Sequence, residues 1–145
     1  MAIRTSVLTL SPVLFTMLLA GCGDSVKGQF TDAEICRASV ATALNKAPKL
    51  FNVEDVNGKV VYLTHYENDD WQRDIYRCKL EGTKVLWATE KGPWKNTPAD
   101  NTLTFAANDD KLTIMNTDAD GQQTDKHFKF DQLKVDTPTI QGLKG

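Results

Sequence analysis

The apolar positions of this chain change their spacing twice. Residues 7–20 hold no charged side chain and are mostly Val, Leu, Phe and Met. From Phe30 the spacing becomes helical. Cys36, Val40, Ala43, Leu44 and Ala47 form one stripe, lined with small residues that permit close packing on a sheet. Thr31 and Glu34 fit a capping box at the start, and Phe30 and Ile35 fit the hydrophobic staple around it. Pro48 predicts an end near Lys46, because the residue before a proline avoids the helical region.

From Leu50 the spacing falls to two. Strands are predicted over 51–56, 59–66, 71–80, 84–90, 102–107, 111–117 and 124–130. Asn57-Gly58 is a strong hairpin signal, since both residues tolerate positive φ. Polar clusters at 67–70, 81–83, 108–110 and 118–121 separate the later runs, and turns this close together predict an antiparallel meander. In the third strand Tyr76, Cys78 and Leu80 share one face, while Arg73, Arg77 and Lys79 share the other. The fold expected is α+β: one N-terminal helix packed on an antiparallel meander of six or seven strands, curling toward a half-barrel. The divisions are a leader over 1–21, a polar tether over 22–29, one domain over 30–131 and a polar tail over 132–145. Leu133 and Val135 are the tail residues able to dock.

The leader changes this picture most. Arg4 precedes the apolar run, and Leu19-Ala20-Gly21-Cys22 closes it with small residues and a cysteine. The run is shorter than the roughly 20 residues of a spanning helix and contains Pro12. This segment resembles the bacterial lipoprotein signal. The resemblance implies cleavage before Cys22, acylation of Cys22, and a mature protein held in the cell envelope on the periplasmic side. Gly23 rather than Asp follows Cys22, which by the same resemblance favours the outer membrane.

Composition narrows the function classes. The chain has 17 cationic and 19 acidic residues. Losing the leader removes Arg4 and no acid, so the mature chain is mildly acidic and has no electrostatic footprint for nucleic acid. With Cys22 acylated, Cys36 and Cys78 remain, an even pair that predicts one disulfide in an oxidising compartment. Two buried free thiols are the alternative. Neither cysteine has a second ligand at metal-binding spacing.

Candidate chemistry is sparse. Asn116, Asp118, Asp120 and Gly121 resemble the start of a calcium loop, but His127 stands where the bidentate Glu belongs, and an Asx-rich hairpin turn explains the same residues. His65 and His127 are the only histidines, and Ser25 and Ser39 the only serines beyond the leader. No nucleophile elbow, phosphate loop or zinc motif occurs. No catalytic residue, metal or cofactor is therefore expected. Trp71 and Trp94 are the candidate partner contacts, because tryptophans beside polar loops give large rigid contact area. The competing reading is a loop tryptophan folded back on the sheet as a lid.

These features predict a non-enzymatic, lipid-anchored binding or accessory module that meets another envelope protein. In outline the chain is also similar to the membrane-bound lysozyme inhibitors, through Tyr76-Arg77-Cys78 on a strand, and that resemblance implies inhibition of a lysozyme-like enzyme. The long capped helix departs from the pattern. A structural subunit of an envelope assembly is the remaining alternative.

Overall fold

The computed structural model describes residues 26–67 and 72–135, so Cys22, Trp71 and most of the polar tail lie outside the described residues. Among the described residues the one long helix, α1, spans Asp32–Ala43. Thr31 caps it, its hydroxyl accepting from the Glu34 amide while the Glu34 carboxylate accepts from the Thr31 amide at 2.7 Å. The helix precedes the sheet but stands well inside the chain, not at its N-terminus. It also stops three residues short of Lys46, and Asn45, not Pro48, is the reason. Asn45 adopts φ 53°, its amide donates to Thr42 O, and the Lys46 amide donates to Ala41 O. That is the paired hydrogen bonding of a Schellman stop, with asparagine in the left-handed position glycine usually takes.

Seven strands follow: β1 (Phe51–Asn57), β2 (Val60–Glu67), β3 (Gln72–Glu81), β4 (Lys84–Thr89), β5 (Thr102–Asn108), β6 (Lys111–Thr117) and β7 (Gln123–Lys129). They form one antiparallel sheet in chain order, and the sheet is open, with β1 and β7 as its edges. The β1–β2 turn is displaced by one residue from the Asn57-Gly58 pair. Asn57 pairs with Val60, so Gly58 and Lys59 make the turn. Gly58 and Gly82, the first turn residues of the β1–β2 and β3–β4 hairpins, both hold φ +60°, a conformation side chains resist. Glu54 forms a bulge in β1, because the register shifts between Val53 and Asp55.

The core lies between α1 and one face of the sheet. Ile35, Cys36, Ala38, Val40 and Ala41 of the helix pack with Phe51, Val61, Leu63, Cys78, Phe105, Leu112 and Ile114, all buried. Cys36 and Cys78 are disulfide-bonded across this boundary, with Cα atoms 5.7 Å apart. The bridge ties helix to sheet where both side chains are fully buried.

Packing reaches beyond the domain limits drawn from the sequence at both ends. Residues 26–29 form a turn in which Lys27 O accepts from the Phe30 amide and Gln29 Nε2 donates to Asp109 O. That part of the tether is docked by Phe30, which is buried beside it. At the other end α2 (Phe130–Leu133) inserts a fully buried Leu133 into the core, and the Phe130 ring meets Phe30 edge-on at 5.6 Å. Among the described residues no helix is long and apolar enough to cross a membrane.

Candidate outer-face site

The alternation of β3 and β4 gives the sheet a second covered surface. Cys78 pairs with Trp87, Lys79 with Leu86 and Arg77 with Ala88. Residues facing away from α1 therefore include Tyr62, Thr64 and Tyr66 of β2, Arg73, Ile75, Arg77 and Lys79 of β3, and Leu86 and Ala88 of β4. Leu86 and Ala88 are buried although they face away from the helix, so another part of the chain must cover them.

The β4–β5 connection provides that cover. β4 and β5 pair only at Lys84–Thr104 and Val85–Leu103, which leaves the rest of β4 without a strand on that side. The connection fills the gap: the Lys95 amide donates to Trp87 O at 2.8 Å, replacing a ladder hydrogen bond. Trp94 folds back over β3. The Arg77 guanidinium carbon and the Lys79 ammonium each lie 4.8 Å from its ring centroid, a double cation–π contact. Arg77 also donates to the carbonyls of Thr89 and Gly92, and Lys84 donates to Asn96 Oδ1. Asp100 closes the segment by accepting from the amide and hydroxyl of Thr97. These bonds, the amide foremost, hold the Asp100 carboxyl below its ordinary value. Its contribution is therefore present above the unfolded carboxylate pKa and fades as pH falls through the lowered one.

Trp94 thus occupies the lid position, half-buried on its own cations. Trp71, the other candidate contact, lies outside the described residues. Replacing Trp94 with alanine should cost about 2 kcal/mol, from lost area and two cation–π contacts. Chemical denaturation of the variant checks this, and an unchanged midpoint would show the indole to be a bystander.

Beside the lid the same face is open. A cleft of about 310 Å³ is lined by Glu54, Asp55, Tyr62, Thr64, Arg73 and Ile75. The bulge aims Glu54 at it, and the Thr64 hydroxyl donates to the Glu54 carboxylate at 2.8 Å. A second hollow of about 250 Å³ shares Arg73 and Ile75 and reaches Thr89, Glu90 and Lys91. The outer face therefore carries a band of aromatic and cationic side chains ending at an exposed Tyr66.

The other candidate residues are not gathered there. His65 lies on the helix side, buried against Phe51, with Nε2 3.5 Å from Lys46 Nζ. His127 is exposed on β7 and bonds Thr113 Oγ1 through Nδ1. The Ser39 hydroxyl is buried and bonds neither histidine. Asp118 spends one carboxylate oxygen on the amides of Asp120 and Gln122, which shapes the β6–β7 turn. His127, at the calcium loop's twelfth position, pairs with Thr113 at the other end of that hairpin. Among the described residues no three His, Cys, Asp or Glu side chains are grouped to hold a metal ion. Tyr76 and Cys78 face the core, with the Tyr76 ring against Phe51 and Trp87, while Arg77 between them supports Trp94.

No protein-family model, curated protein or solved structure matches the chain.

Proposed function

We propose that the protein is a lipid-anchored module of the cell envelope that works by binding another envelope protein through its outer sheet face, without catalysis. The observation that carries the reading is the pairing of cysteines. Cys36 and Cys78 are joined to each other, which leaves Cys22 as the odd cysteine, at the end of the Leu19-Ala20-Gly21-Cys22 motif. A buried structural disulfide fits an exported protein, and the remaining cysteine stands where lipoproteins are acylated.

The band on the outer face supports the binding part. Tyrosine, tryptophan and arginine are the residues enriched at protein interfaces, and here they lie side by side on a framed surface. The framing favours recognition, because Arg77, Lys79 and Trp94 hold one another and lose little freedom on contact. The sheet supports the half-barrel reading too. The helix touches every strand from β1 to β6, and six flat strands would span about 24 Å, twice a helix's width.

A photo-crosslinking residue at Tyr66, compared with one at Lys111, tests the reading in native envelopes. The expected result is an envelope protein captured at position 66 and not at 111, and lost when Arg73→Glu is added. Equal capture at both positions, or none, would overturn it. A captured muramidase would select the inhibitor version.

A further inference from the structure

We infer that the end of the sheet carrying the β1–β2, β3–β4 and β5–β6 turns rests on the phospholipid surface, with the outer-face band's loop end pointing away. The inference rests on the acylation of Cys22 proposed above.

Tether length is the first argument. The first residue held on the domain is Lys27, whose carbonyl accepts from the Phe30 amide and whose ammonium meets Asp32, so residues 23–26 separate it from Cys22. That stretch spans at most about 18 Å even when fully extended. The ten residues of β3 alone run about 33 Å, so the tether is shorter than the domain it holds. The end at which the chain enters must stay near the lipid.

The point of entry is the second argument. Gln29 donates to Asp109 O in the β5–β6 turn. Val56, just before the β1–β2 turn, lines one hollow with Lys27, Phe30 and Thr31. The docked segment therefore sits among the hairpin tips. A meander places its alternate turns at opposite ends, so the last residues of β2, β4 and β6 lie at the far end. Tyr66 and Arg73 belong to that far end, while Trp94 is carried back over Arg77 and Lys79.

Surface chemistry agrees. Val26 and Val56, about half exposed, stand at the tip end. Lys59, Lys111 and Lys129 are exposed there as well. Apolar tips among long ammonium side chains suit the boundary between headgroups and acyl chains. Asp109 and Asp110 share this end, so the tether rather than net charge sets the orientation.

Quenching by nitroxide-headgroup lipid tests the arrangement on the full acylated protein in phosphatidylethanolamine–phosphatidylglycerol vesicles. Single labels go on Lys59→Cys or Asp110→Cys at the tips, and on Lys91→Cys or Asp120→Cys at the far end. The native cysteines do not react, two being bridged and one acylated. Quenching at 59 and 110 should exceed that at 91 and 120 by about threefold, given a separation of about 30 Å along the strands. Equal quenching at both ends, or the reverse order, on protein whose mass shows the acyl group would overturn the orientation alone. A mass without acyl chains would overturn it together with the anchored reading.

Discussion

Replacing Cys36 and Cys78 together with alanine is expected to remove about 4 kcal/mol of stability, the chain-entropy value for a loop of this length. The bridged residues are 42 apart in sequence, and between them lie the end of α1 and all of β1 and β2. Without the bridge the unfolded chain regains that freedom, and no other disulfide among the described residues joins helix to sheet. Alanine is the informative replacement, because a serine hydroxyl at either fully buried position would add a desolvation cost of its own. Urea unfolding of the oxidised proteins should show the loss as a lower midpoint with a melting temperature down by more than about 10 °C. Burial also predicts that reductant leaves the native protein intact and acts once it unfolds. A loss below about 1 kcal/mol would mean that core packing, not the cross-link, fixes α1 on the sheet.

Leu133→Ala is expected to cost about 3 kcal/mol. The side chain is fully buried in the core shared by α1 and the sheet, and a methyl cannot fill its place. The same short helix holds Phe130 against Phe30, and Arg37 donates to Lys134 O just after it. Truncating the chain after residue 131 should therefore destabilise the protein as much as the substitution does. Denaturation midpoints equal to that of the intact protein would show that the domain ends before α2.

How far these elements could be read in advance follows from how local their causes are. Thr31 and Glu34 are three residues apart, and their mutual hydrogen bonds depend on nothing distant, so the helix start was readable. The strands announce themselves as short runs between polar turns, most of them alternating. Cys36 and Cys78 were placed inward by their own elements' periods, and their pairing followed. The helix stops before the place Pro48 implies because Asn45 takes the left-handed position after the cap, which asparagine marks more weakly in a sequence than glycine does.

Leu133 docks, as a tail residue able to do so, but the helix that carries it is not legible, because one leucine in a polar stretch has no period. The outer face does carry a signal in the sequence. Val85-Leu86-Trp87-Ala88 is an unbroken apolar run, the mark of a strand covered on both sides. Which segment covers it could not be read, because the Trp94 contacts with Arg77 and Lys79 cross from the loop to another strand. The Glu54 bulge likewise depends on pairing with β2.

The anchored-module account stands or falls on Cys22, and intact mass spectrometry of the protein purified from its native membrane reads it directly. The account predicts a chain beginning at residue 22 and carrying the mass of attached fatty acyl groups. A chain that still begins at Met1, with Cys22 unmodified, would contradict it.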